Sequence, residues 1–222
     1  MATESKTRRR TTKSSTQERV ARLREIAETD PLAAQDAAWA WFERLGKLAE
    51  HDRATAADGL AELFACGQPS RGIDGPTEGI LVAPLIHPLP DTLLRFMSAN
   101  LMPWVGKRFN AKEARGDNLL TNRSRWPIKL IWPLYGTRPG DGARLAFDFE
   151  TRVEAGGVEP TVDVLVIDYG QIERNPRLVV RSIRDELVEI VDGAHLGRIL
   201  WRQGEDRYTN IGYFALRTPT SR

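Results

Sequence analysis

Apolar and polar positions alternate with a period of two through most of the C-terminal third of this chain. Across 143–153, Leu145, Phe147, Phe149, Thr151 and Val153 share one parity, and Arg144, Asp148, Glu150 and Arg152 take the other. A strand with one dry face requires that pattern. It recurs over 161–169, 186–191, 195–202 and 208–217, with turn clusters at Ala155-Gly156-Gly157, Asn175-Pro176, Asp192-Gly193 and Gly204-Glu205-Asp206 between the runs. The spacing predicts an antiparallel meander, and the parity puts Phe147 and Phe149 on its buried face.

Upstream of Gly67 the period lengthens to that of a helix. Ser15 and Glu18 form a capping-box pair ahead of Val20, Leu23, Ile26 and Ala27. Asp30 is placed to cap a second helix with Pro31 at its first position, followed by Ala38, Trp41, Phe42, Leu45 and Leu48 at steps of three and four. A third helix is expected from Asp52 or Thr55, carrying Leu60, Leu63 and Phe64 to a stop at Gly67. Helices this short cannot bury an apolar face alone, so they must pack on one another or on the sheet.

Residues 68–77 are turn-forming, and 78–86 is an apolar run that Pro84, Pro88 and Pro90 restrict to an edge strand. The stretch 91–99 fits a helix or a strand, whereas 101–109, 118–122 and 128–135 read as strands. The total is roughly eight or nine strands, the number at which a sheet can close around one small ligand. The expected fold is α+β: a disordered basic tail over 1–14, a helical segment over 15–67, and a closed antiparallel β-barrel domain over 68–222.

Composition narrows the function classes. In 222 residues, 28% are charged but the formal net charge is only +2, so no global field draws the chain to nucleic acid or to a membrane surface. The positive charge is concentrated in Lys6, Arg8, Arg9, Arg10 and Lys13, which leaves the remainder mildly acidic. That basic segment is rich in Thr and Ser without apolar periodicity, as an unstructured tail would be. No stretch approaches the roughly eighteen apolar residues of a membrane span, and no apolar run follows the basic start as a secretory signal requires. With a single cysteine, Cys66, the expected location is the cytoplasm. The excess of Arg over Lys, together with the Ala content, suggests a GC-rich bacterial coding sequence.

Candidate chemistry is sparse. Trp104 and Gly106 share a parity, with Lys107 on the other, in a segment where Trp104 could face a cavity and Gly106 admit a close backbone approach; an ordinary core Trp beside a strand glycine accounts for the same residues. Asp168, Tyr169, Arg184, Asp185 and Glu186 form the densest group of titratable side chains near strand ends. They could orient a polar head group or supply a general base, and they could equally be a structural ion-pair network. His51, His87 and His195 lie far apart without metal-ligand spacing, so no metal site is expected. His195 shares parity with Gly197, Ile199 and Trp201, facing the apolar side, where an imidazole could hydrogen-bond a ligand or ligate haem iron. Phosphate loops, dinucleotide fingerprints and nucleophile elbows are missing from the sequence.

With its Trp104-x-Gly106 element and its strand count, the stretch 77–217 resembles a lipocalin-like (calycin-type) β-barrel. It is also similar to uncharacterised actinobacterial proteins through Ile183-Arg184-Asp185-Glu186-Leu187 and His195-Leu196-Gly197. The resemblance implies a cavity for a small lipophilic molecule or cofactor, with no particular cofactor singled out. The residues expected to face such a ligand are Trp104, Lys107, Tyr169, Arg184, Asp185, His195 and Trp201. Non-catalytic binding is the first expectation. The alternatives are a small-molecule cyclase or isomerase using the Asp, Glu and Arg cluster, and an interaction module that meets a protein partner through Trp39, Trp41 and Phe42 of the helical segment.

Overall fold

Two aspartates set the boundaries of the helical half. Asp30 Oδ1 accepts the Ala33 N–H at 3.0 Å and starts α2 (Pro31–His51), and Asp52 Oδ1 accepts the Thr55 N–H at 3.0 Å to start α3 (Arg53–Phe64). The computed structural model describes residues 2–85, 104–177, 179–205 and 207–219. Within them α1 (Ala2–Thr29) begins upstream of the Ser15 capping pair, so helix occupies a stretch whose composition predicts a tail without structure. The stretch 91–99 lies outside the described residues.

The strands are β1 (Gln68–Pro69), β2 (Gly75–Pro76), β3 (Glu78–Pro84), β4 (Trp104–Asn110), β5 (Arg115–Leu120), β6 (Arg138–Pro139), β7 (Arg144–Ala155), β8 (Asp163–Asp168), β9 (Ile183–Val191), β10 (Ala194–Gly204) and β11 (Arg207–Arg217). They make one antiparallel sheet in the order β2, β4, β5, β7, β8, β9, β10, β11, β3, with β1 added on β9 and β6 on β7. The predicted C-terminal meander is therefore present, each strand within a few residues of its expected bounds. The exception upstream is 128–135. There α4 (Arg125–Ile131) stands where a strand was expected, because an apolar run that short satisfies either period.

The sheet separates two apolar layers. One lies on the helix-bearing face, labelled outer to distinguish it from the opposite, inner face, and there Leu60, Leu63, Phe42 and Phe64 pack on Val164, Val166, Val188, Ile190 and Leu196. The other fills the opposite face with Phe109, Phe147, Phe149, Leu165, Ile167, Leu187 and Phe214. Successive residues of β8 and β9 thus contribute to opposite layers, so these two strands are covered on both faces. Trp39, Trp41 and Phe42 are buried in the helical layer, so the aromatic face expected to meet a protein partner is used within the fold.

Candidate functional site

A bulge in β4 builds the site. Trp104 pairs with Leu120 and Gly106 with Leu119, leaving Val105 as an extra residue that turns outward. The slip brings Trp104 and Lys107 to the same face, although a regular strand would send them to opposite sides. Gly106 makes this possible: at φ 152 a Cβ there would lie 1.9 Å from the Thr77 carbonyl oxygen. The close backbone approach expected at Gly106 is real, and the partner is the protein's own chain.

On the inner face Lys107 is buried, and its ammonium group donates to Asn118 Oδ1 at 2.9 Å, to Asp185 Oδ2 at 2.9 Å and to the Tyr169 hydroxyl. Tyr169 in turn donates to Asp185 Oδ2 at 2.9 Å. Asn118 Oδ1 also accepts the Trp104 indole N–H at 3.0 Å, while its amide donates to the Phe147 carbonyl at 3.1 Å and to the Tyr169 oxygen at 3.2 Å. Every donor and acceptor of Lys107, Asn118 and Tyr169 is thereby occupied. Among the described residues, Asp185 Oδ1 is the member of this network that is buried with no hydrogen-bond partner.

The surroundings are aromatic. The rings of Trp104, Phe149, Tyr169 and Phe214 have centroids 5.1 to 5.7 Å from Lys107 Nζ, within range of cation–π attraction. Gly197 leaves the space that the Phe214 ring fills, since a Cβ there would come within 2.2 Å of it. Burial lowers the Lys107 pKa, with the Asp185 carboxylate opposing the shift. Tyr169 is raised well above the ordinary phenol value by burial and by the Asp185 charge.

Four of the seven residues expected to face a ligand therefore converge: Trp104, Lys107, Tyr169 and Asp185. Asn118 completes the set, and the sequence reading missed it. Its signal is a polar residue at an inward position of β5, two residues before the buried Leu120.

The other three lie elsewhere. Arg184 projects to the outer face, opposite to Asp185, and binds Glu186 Oε1 through Nε at 2.9 Å as well as Glu154. Glu186 is fully buried there, held also by Arg198 at 2.7 Å and by the Gly157 N–H at 2.7 Å. Asp168 lies directly across from Arg184 in the β8–β9 pairing, on that same face, and is paired with Arg152 at 3.0 Å, which leaves Asp185 alone on the other side. The Asp168, Arg184, Asp185 and Glu186 group consequently does not converge on one side of the sheet, because alternation along β9 splits it.

His195 does share the inner face with Gly197, at the end of the sheet where β1 pairs β9. Its Nδ1 is 2.9 Å from Ser70 Oγ, and burial lowers its pKa to about 3, so the ring is neutral. Trp201 is half-buried and packs against the inner apolar layer.

A further polar cluster was not anticipated. Arg138 bridges Asp117 and Asp148, at 2.6 Å from the latter, while Arg108 reaches Asp117 at 2.6 Å and Arg174 reaches Asp148 at 3.1 Å. Burial and a hydrogen bond with Asp117 push Asp148 up to about 6. On the outer side, a groove of about 530 Å³ runs between α2 and β3, lined in part by Phe42, Gly46, Ala49 and Ile80. Among the described residues, no three His, Cys, Asp or Glu side chains gather as a metal site would require, and no helix is long and apolar enough to cross a membrane.

No family model, no curated protein and no solved structure matches this chain.

Proposed function

We propose that the sheet closes on itself and that the protein holds a small, largely apolar molecule in the interior, with Asp185 as the polar anchor. The case for closure rests on β2 and β3. They stand at opposite ends of the strand order, β2 on β4 and β3 on β11, yet Thr77 alone separates them along the chain. Taken as one strand, 75–84 joins the two ends of the order. With the two-residue β1 and β6 set aside, the result is an eight-stranded ring, the strand number of lipocalin-like barrels.

The observation that carries the ligand reading is Asp185 Oδ1, a buried carboxylate oxygen without a partner in an otherwise fully satisfied network. A buried acceptor of this kind is costly unless something donates to it. A ligand hydroxyl, amine or amide N–H fits that need, with its apolar body among the Trp104, Phe149 and Phe214 rings. Lys107 and Asp185 offset each other's charge, so the ligand itself can be neutral. Because these rings pack around Lys107, a ligand enters only when they part, and association should be slow.

Native mass spectrometry of the protein purified from its own host tests the reading. The expected result is a bound small molecule, released by Asp185→Asn in a variant that a thermal melt shows to be folded. A native mass equal to that of the bare chain would overturn it.

A further inference from the structure

We propose that Lys107 Nζ forms an imine with an aldehyde or ketone carbonyl of the bound molecule, with Asp185 and Tyr169 carrying the protons. This rests on the ligand-binding reading above and names the ligand's reactive group. The interior of a protein seldom holds a lysine unless an anion compensates it, and here the compensating carboxylate has one oxygen on the ammonium and the other unpartnered. That division of labour suits the chemistry of amine addition to a carbonyl better than it suits a static ion pair, which would leave no acceptor exposed to its own desolvation cost.

The steps balance within the cluster. The Lys107 ammonium passes one proton to Asp185 Oδ2, 2.9 Å away, and becomes a nucleophilic amine. Its lone pair attacks the carbonyl carbon as the C=O π bond breaks, and a second proton moves from nitrogen to the new alkoxide through the Tyr169 hydroxyl, which touches both Lys107 and Asp185. The carbinolamine hydroxyl so formed is a donor of the kind Asp185 Oδ1 lacks. Asp185 then returns its proton to that hydroxyl, the C–O bond breaks, and water leaves with two protons that both came from the ammonium group. The product is a protonated imine beside a carboxylate, so the site has the same net charge before and after. Burial assists twice, by lowering the Lys107 pKa, which eases release of the ammonium proton, and by keeping bulk water from hydrolysing the product.

The test uses the full chain, cinnamaldehyde as an apolar aldehyde probe, and sodium borohydride at neutral pH to fix any imine as a secondary amine. Peptide mapping then reads the adduct on each lysine of the unaltered protein, so no variant needs to fold. The expected result is adduct on Lys107 several-fold above that on the exposed Lys47 and Lys112, despite the burial of Lys107. Adduct confined to exposed lysines would overturn the inference. A host molecule that rides with the protein in native mass spectrometry but is not fixed to Lys107 by borohydride would overturn it too, while leaving the binding reading intact. Absence of any bound mass would remove both.

Discussion

Lys107 Nζ and Asp185 Oδ2 lie 2.9 Å apart with 3% and 6% of their side chains exposed. Two opposite charges held this far from water stabilise each other, but each has given up its hydration, so neither can be removed alone without exposing the other's cost. Lys107→Met or Asp185→Leu should each destabilise the fold by about 3 to 5 kcal/mol, and the double variant should cost less than either single change. Urea unfolding of the three variants measures this. Additive losses would show that the pair is solvated and that the interior is open to water.

The buried histidine makes the fold acid-sensitive. Burial holds His195 at about 3, against an ordinary imidazole value of 6.5. The native state refuses a proton that the unfolded chain accepts, so this stability is complete above pH 6.5 and drains away as pH falls toward 3. The loss is about 1.4 kcal/mol per pH unit, hence about 2 kcal/mol between pH 6.5 and 5. His195→Gln cannot take up that proton, and its unfolding midpoint should fall less on acidification. Parallel curves for the two proteins would mean that water reaches the ring.

Asp148 works in the opposite sense. Burial and its neighbour Asp117 raise it from 3.8 to about 6, so the native state holds a proton that the unfolded chain has already released. The stability tied to that proton is complete below pH 3.8 and is lost as pH rises through 6. The groups facing it are Asp117, Arg138 and Arg174, with Arg108 behind Asp117. Asp148→Asn removes the titration, so the variant should gain on the parent protein between pH 4 and 6.5, the window in which His195 makes stability rise with pH instead. A stability difference constant across that range would place the carboxyl pair in open water.

How much of this was legible depends on where the chain keeps its period. Parity along β7 places Phe147 and Phe149 in the inner layer, and both are there. The caps at Asp30 and Asp52 were readable because a side chain and the N–H it accepts lie three residues apart. Lys107 is the contrary case. Regular alternation sets it against Trp104, and only the bulge at Val105 brings both onto Asn118, a partner that no local pattern indicates. Arg184 and Asp185 fail for the reverse reason: proximity in sequence suggested one cluster, and the strand period sends them to opposite faces. Seven residues are too few for the helical and strand periods to diverge, so the apolar run at α4 does not reveal its helix.

Phe147 carries an unusual load for a core residue. Its φ is 52°, its N–H goes to the Tyr135 hydroxyl and its carbonyl to Asn118, and its ring stacks on Tyr135 at 5.0 Å. Phe147→Ala should cost about 3 to 5 kcal/mol through lost burial and the cavity left behind. Phe147→Gly loses the same ring but accepts the left-handed backbone, so it should be the milder change by up to about 1 kcal/mol, reversing the usual order in a strand. Chemical denaturation of both variants decides it. A glycine variant clearly weaker than the alanine one would mean that the left-handed backbone at this position relaxes once the ring is gone.

Arg184 separates scaffold from ligand site. Its guanidinium and that of Arg198 hold the fully buried Glu186 on the outer face, behind the strand from Lys107. Removing one of two cations leaves the carboxylate half-compensated, so Arg184→Ala should cost more than the roughly 0 to 1 kcal/mol of an exposed pair and less than the roughly 3 to 5 kcal/mol of a fully orphaned charge. Restoring the charge as Arg184→Lys should recover only part of the loss, since an ammonium cannot reproduce the two contacts that Nε and the terminal nitrogen make to one oxygen. Because the side chain points away from the interior, the borohydride adduct on Lys107 should form in Arg184→Ala as it does in the parent protein. A variant that keeps its stability but loses that adduct would place the guanidinium at the ligand, and the functional site would then have to be sought on the outer face of the sheet.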